Sequence, residues 1–406
     1  MTGPLGRLAA IATVIVLLVA PGARSQAADP PPYVIPAVLS LTGPYAFVGQ
    51  ADQQALRVFE AYTNAHGGIR GAKLHFEVED DRSNPSDAVS LTTQLIARNP
   101  PVILGSNGGS LCNAMAPLFH DGPVLYCFVP SIYPAKGSYV FASQVALNPF
   151  IDGMIRYLRL RGLDRIAVIS STDGSGQADD IGMRDVLALP ENKDVKIVTY
   201  EHFNPTDLNV TAQATHIKAS DAQAVIVWAS GTSFGTVLRS FNDVGIALPV
   251  ETSNANLHAN QLAQYLTFYP KELVMPGLPY MIPASAPAAL GPSPAMKKAI
   301  VALFDAYKMN GALPDPGAAS GVWDPVTMIV EGARKIGPGM TAAQLRDFLL
   351  GIHGDFSGIY GDYDFSRGDQ HGLSDQAVVM ASWDPKSGAF YGVSGLHGVP
   401  LPAHAP

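Results

Sequence analysis

The chain has little of what usually announces a chemistry. Its 406 residues include two cysteines, Cys112 and Cys127, too few for a disulfide-stapled scaffold. Ten histidines are scattered without an HExxH or similarly spaced pair, so neither a metal centre nor a metal cofactor has support. Only 15% of residues are charged, and no run of Lys or Arg and no basic helix occurs. Nucleic acid and an anionic membrane surface are therefore poor candidate partners. No internal repeat at solenoid spacing is found, which excludes stacked-repeat architectures. The one long apolar run, Leu8 to Ala20, is too short to span a bilayer.

That run has a function of its own. Met1 to Ala27 carries a basic Arg7, the apolar stretch, a Pro21-Gly22 break and small residues at Ser25-Gln26-Ala27, the pattern of a secretory signal cut near Ala27. Its removal leaves 24 Lys plus Arg against 34 Asp plus Glu, a net charge of −10. The expected product is an acidic, exported globule without direct membrane insertion. Export makes a Cys112–Cys127 disulfide plausible, since each cysteine lies near the end of an expected strand; two buried thiols is the alternative.

What the chain does have is a repeated α/β pattern. In residues 47 to 89, Ala55, Val58, Phe59 and Tyr62 recur at helical spacing, Asn64 to Gly68 stops the helix, and Leu74, Phe76 and Val78 alternate as a strand does. Asp80 and Asp81 follow at the strand's carboxyl end, the edge where open α/β sheets bind ligands. Further strands are expected at 34–39, 102–104, 124–128 and 139–144, then a second set at 165–170, 195–200, 224–229 and 248–252. Two sets imply two α/β lobes with parallel sheets. After a Pro/Ala-rich stretch at 284–294, helices are expected at 294–310, 320–335 and 341–351, and strands at 359–365, 376–383 and 389–393.

The loops after the strands are rich in Ser, Thr, Asn and Gly. Next to helix N-termini they offer hydroxyls, amides and free backbone N–H groups, which suit a carboxylate or another small polar molecule, although helix capping explains any one of them. Gly231-Thr232-Ser233-Phe234-Gly235 matches the G-x-S-x-G nucleophile elbow between a strand and a helix. A hydrolase built on it would use Ser233, with Asp324 and His353 completing the triad and Asn107-Gly108-Gly109 as oxyanion hole. Ser233 serves equally as a helix cap, and the chain is read as no enzyme. Asp362-Tyr-Asp364-Phe-Ser366 begins like a calcium loop, but the glycine comes one residue late at Gly368 and no Glu closes it, so a hairpin turn is expected. Asn209-Val210-Thr211 is a formal glycosylation sequon.

Leu41-Thr42-Gly43-Pro44 and the stretch that follows it resemble the amino-terminal signature of the branched-chain amino-acid (Leu/Ile/Val-binding) family of periplasmic binding proteins. The resemblance continues through Pro85 to Ala88, Gly105 to Pro117, Asp173-Gly174-Ser175-Gly176, Phe203 to Asp207 and Ser253 to Asn256. It implies a type I periplasmic binding fold: two doubly wound parallel-sheet lobes joined by three hinge crossovers, a Venus flytrap. The crossings fall near Gln144, Pro276 and His371, giving a first lobe of 33–146 plus 277–371 and a second of 147–276 plus 372–406. It also implies a monomeric periplasmic subunit that needs no cofactor and delivers a small-molecule ligand to the membrane permease of an ATP-binding cassette importer.

Carried over residue by residue, the family's carboxylate-gripping loop falls on Asn107 to Cys112, where Gly108 and Gly109 replace hydroxyl residues and Ser110 remains. The aromatic cover falls on the smaller Ser175. The acidic partner of an amino acid's ammonium falls near Asn254, an amide that cannot neutralise a cation. The preferred solute is therefore an acid lacking the ammonium group, with an amino acid as the other choice. Tyr45, Phe47 and Ile132 are candidate apolar walls, and Ser131, Ser230 and Thr232 candidate polar contacts. Besides the secreted serine hydrolase, a module that senses a ligand for a membrane receptor is a further alternative.

Overall fold

The computed structural model describes residues 30–402 together with Gly3. The expected signal segment and its cut near Ala27 otherwise lie outside the described residues. No helix among the described residues is long and apolar enough to cross a membrane.

The chain opens as a parallel α/β unit: β1 (Tyr33–Leu39), α1 (Ala46–Ala65), β2 (Leu74–Asp80), α2 (Pro85–Ile96), β3 (Val102–Gly105), α3 (Gly109–Met115), β4 (Val124–Cys127) and β5 (Val140–Ala142). These strands form one five-stranded sheet in the order β2-β1-β3-β4-β5, every pair parallel. Their residues are mostly apolar and buried, as a sheet covered on both faces requires.

A second unit follows: α4 (Leu147–Leu160), β6 (Arg165–Ser171), α5 (Gly174–Leu187), β7 (Lys196–Phe203), α6 (Thr211–Ala219), β8 (Ala224–Trp228), α7 (Gly231–Val244), β9 (Val250–Thr252), α8 (Ala259–Leu262) and β10 (Leu273–Gly277). The chain then returns to the first unit with α9 (Pro294–Met309), α10 (Pro316–Ile336), α11 (Ala342–Leu350) and the small hairpin β11 (His353–Ser357) and β12 (Asp362–Asp364). Phe59 of α1 meets Trp323 of α10 edge to face, with ring centroids 5.1 Å apart, and this contact seals the first sheet's outer layer. Finally β13 (Val379–Asp384) and β14 (Ala389–Gly392) join the second sheet, whose order is β14-β13-β10-β9-β8-β6-β7. The two last strands are antiparallel, the rest parallel. The molecule is thus two α/β lobes with parallel sheets.

Two strands depart from the sequence reading. Strand β10 contains Pro276, which discourages a strand assignment, yet it sits between β9 and β13 with Pro276 paired to Met380. Strand β11, His-Gly-Asp-Phe-Ser, is half exposed and carries no apolar alternation to betray it. The calcium-like loop is the turn after β12: Asp364 accepts from Ser366 N at 2.9 Å and Gly368 takes φ +80°.

Cys112 on α3 and Cys127 at the end of β4 are joined by a disulfide, with Cα atoms 6.2 Å apart, and both are fully buried. The bond ties α3, which follows β3, to the end of β4. Closing a loop with a sequence separation of 15 residues restricts the unfolded chain. The double variant Cys112→Ala/Cys127→Ala should lose about 3 kcal/mol of unfolding free energy in urea titrations.

A buried ionic cluster links the lobes. His258, at the start of α8 and 2% exposed, lies with Nδ1 2.7 Å from Oδ1 of Asp315, the N-cap of α10, though off the hydrogen-bonding direction. Asp52 of α1 is buried beside them. Burial alone would lower the His258 pKa, but the charges of Asp315 and Asp52 outweigh it and hold it above the ordinary imidazole value. Burial pushes Asp52 well above the carboxylate range, with His258 opposing and Asp315 adding. A pKa raised by folding means stabilisation that is complete below the unfolded value, about 6.5 for His, and lost as pH rises through the folded value. His258→Gln should therefore cost more unfolding free energy at about pH 5.5 than at about pH 8.5, measured by chemical denaturation at both.

Candidate functional site

The carboxyl ends of both sheets face one cavity of about 410 Å³. From the first lobe, β3 leads into Asn107, Gly108, Gly109 and Ser110, and β4 into Val129, Pro130 and Ser131. From the second, β6 leads into Asp173 and Ser175, β8 ends in Trp228 with Ala229 and Ser230 beyond it, and β9 leads into Ser253 and Asn254. Leu147, Phe150 and Met154 line it from one stripe of α4, three and four residues apart.

Close approach in these loops depends on glycine. A Cβ on Gly109 would fall 2.3 Å from Ser131 Oγ. No side chain caps α3; Leu111 N–H and Cys112 N–H both turn back to Gly108 O, at 3.1 and 3.0 Å, which leaves the N–H groups of Gly109 and Ser110 as the open donors of its first turn. Gly231, at φ +61°, lies so close to the first lobe that a Cβ would fall 2.2 Å from Pro44 O.

The hydrogen-bonding state of each polar group distinguishes scaffold from free valence. Asp173 caps α5, accepting from Ser175 N at 3.1 Å and Gly176 N at 3.0 Å through Oδ1, while Tyr45 of the first lobe donates to Oδ2 at 2.8 Å. Burial, then the Asp173 charge, raises the Tyr45 pKa, so Tyr45 stays a neutral donor. The Asn254 amide donates to Gln144 Oε1, and Gln144 Nε2 in turn donates to Ser320 Oγ at 3.2 Å. Two residues that line the cavity keep a buried donor with no partner among the described residues: Asn107 Nδ2 and Trp228 Nε1. Asn107 cannot swing freely, because its Oδ1 accepts from Ser40 N at 2.8 Å.

Of the residues singled out in the sequence, Tyr45, Asn107, Gly108, Gly109, Ser110, Ser131, Ser175, Ser230 and Asn254 come together around this cavity. Phe47, Ile132 and Thr232 do not. Ile132 is 2% exposed within a core cluster beside the disulfide. Phe47 and Thr232 line a separate depression with Leu208 and Arg239. Both occupy the first turn of a helix, where a step of one or two residues swings the side chain away from the strand-end direction. Of the proposed hydrolase, Ser233 lines the cavity with Asn107, Gly108 and Gly109, but Asp324 and His353 do not reach it. Ser233 Oγ donates to Ser230 O at 2.9 Å, while Asp324 is buried among Ile359 N, Tyr360 N and the Tyr363 hydroxyl. His353 Nε2 lies 3.1 Å from Leu350 O.

Sequence reading missed Trp228, the α4 stripe and Asp179. Asp179 lies four residues beyond Ser175, hence on the same helix face, and that spacing was the available signal.

A periplasmic binding protein family profile matches residues 32–389. Among relatives, the chain is 23% identical over 215 residues to a Leu/Ile/Val-binding protein homologue of Brucella melitensis, covering 52% of this chain and 57% of that one. It is 24% identical over 193 residues to an amino acid binding protein of Pseudomonas aeruginosa, covering 45% and 50%. The chain thus spans about half the length of the curated relatives it matches. An extracellular ligand-binding receptor from Rhodopseudomonas palustris superposes with a TM-score of 0.75 at 20% identity, covering 90% of this chain and 99% of that one. The branched-chain amino acid transporter substrate-binding protein of Streptococcus pneumoniae, solved with isoleucine, gives 0.72 at 19%, covering 89% and 99%. A fatty acid transporter substrate-binding protein from Thermomonospora curvata gives 0.72 at 18%, covering 90% and 92%. With its family profile spanning both sheets, the chain belongs to the periplasmic binding proteins.

Proposed function

We propose that this chain is the solute-binding subunit of an ATP-binding cassette importer, exported to the periplasm with its signal removed, and that it captures a small solute without altering it. The lobes of 33–146 plus 277–371 and 147–276 plus 372–406 would turn about crossings near Gln144, Pro276 and His371. The observation that carries the reading is the cavity itself: loops from both sheets enclose it, and its lining residues Asn107 and Trp228 keep buried donors, Nδ2 and Nε1, with no partner among the described residues. Unpaired buried donors are costly, and a bound acceptor offsets that cost. The Ser110 and Ser131 hydroxyls and the N–H groups of Gly109 and Ser110 add donors on the first lobe, so the solute carries an acceptor group such as a carboxylate. Trp228, Phe150, Met154 and Leu147 receive an apolar body.

Binding between lobes converts binding energy into closure, because only the closed form contacts the solute from both sides. The Tyr45–Asp173 hydrogen bond and the approach of Gly231 to Pro44 would then be contacts of the closed form.

Mass spectrometry of small molecules released on denaturing the purified protein tests the proposal. One dominant acceptor-bearing solute near stoichiometric amount is expected; absence of any solute, with no thermal shift across amino acids, aromatic acids and short-chain acids, would sink it. Gly231→Ala should oppose closure through its methyl group, weakening affinity about tenfold or more and raising the radius of gyration in solution scattering with solute present.

A further inference from the structure

We propose that Asp179 selects the solute: its carboxylate receives a cationic nitrogen, an ammonium or a related protonated amine, of the molecule held between the lobes. This deepens, and rests on, the solute-binding reading above.

Asp179 lies on α5 at 8% exposure and lines the cavity. Its carboxyl group has no hydrogen bond or ion pair among the described residues. Asp173, the other acid at the cavity, is in the opposite state, with both oxygens engaged by Tyr45, Ser171 and the first turn of α5. Among the described residues, no Lys, Arg or His lines the cavity. A buried carboxylate without a partner is costly, and here no protein group relieves it. Burial first, then the charges of Asp173 and Asp180, push the Asp179 pKa well above the carboxylate range, and a neighbouring cation is what restores the ionised form.

The signs of the free groups are complementary. Asn107 Nδ2 and Trp228 Nε1 ask for an acceptor, Asp179 for a donor, so the cavity is matched to a molecule that has both an acceptor group and a cationic nitrogen. The sequence preference for an acid without an ammonium rested on Asn254, whose amide is tied to Gln144. The charge that is missing after β9 is supplied instead from α5.

The test uses the mature full-length protein and Asp179→Asn, an isosteric change, with circular dichroism and melting curves verifying the fold. Calorimetric titration with two matched sets, 3-phenylpropionate, phenylalanine and phenethylamine, then 4-methylvalerate, leucine and isopentylamine, isolates the nitrogen. An amine-bearing member should bind at least about tenfold tighter than the acid lacking it, and Asp179→Asn should abolish that preference with a loss of about tenfold to a hundredfold. Equal or tighter binding of the acids, or an unchanged preference in Asp179→Asn, overturns the inference while leaving solute binding intact. Silence of the wild type towards all six overturns it too, and counts equally against the solute-binding reading.

Discussion

The site depends on one buried carboxylate. Asp81, fully buried at the end of β2, accepts from Ser40 Oγ at 2.6 Å, Ser106 Oγ at 2.7 Å and Ser83 N at 2.9 Å. Because the sheet order runs β2-β1-β3, these donors come from the ends of three adjacent strands, and one side chain sets the height at which all three loops leave the sheet. Ser40 then passes the constraint on: its N–H holds Asn107 Oδ1 and so fixes this cavity-lining side chain. Burial raises the Asp81 pKa and its hydrogen bonds pull it down, so the network is held in a dry environment where each bond counts for more. Asp80 beside it does the equivalent work at the surface, accepting from Leu41 N and Arg82 N.

The second lobe uses a different device for the same purpose. Its loops are fixed by helix starts, with Asp173 closing the first turn of α5, and by Asn256, which donates to Ala229 O and Thr252 Oγ1 at 2.8 Å each and ties the ends of β8 and β9. The carboxylates that fix these loops, Asp81 and Asp173, are both fully engaged by protein donors. Of the cavity-lining residues, Asn107 and Trp228 keep a buried donor, and Asp179 a carboxyl group, without a partner among the described residues.

Much of this was legible in the sequence because strand ends are. A glycine- and serine-rich loop after a buried apolar strand has few other places to go, and Asn107 to Ser110 lie where that logic puts them. The helical spacing of Ile151, Ile155 and Leu158 in the sequence also makes α4 amphipathic. It did not mark the adjoining stripe of Leu147, Phe150 and Met154 as cavity wall, because one helix has two apolar edges and only tertiary packing decides which meets a core and which meets a void. Asp179 was hidden for a related reason: a carboxylate on a helix reads as a solvated face until the opposing lobe covers it. Phe47, Ile132 and Thr232 show the converse error, since proximity in sequence to a strand end does not fix direction once a helix or a core has claimed the side chain.

The return of the chain to its first lobe carries a consequence for how the molecule is made. The sheet of β1 to β5 gains its outer helical layer, including the Trp323 that packs on Phe59, only after all of β6 to β10. During amino-to-carboxyl synthesis or translocation the first sheet therefore waits with an apolar face uncovered, while the intervening lobe, itself short of β13 and β14, emerges. Neither lobe can finish before the other has nearly done so, and the unit of folding is the whole trap.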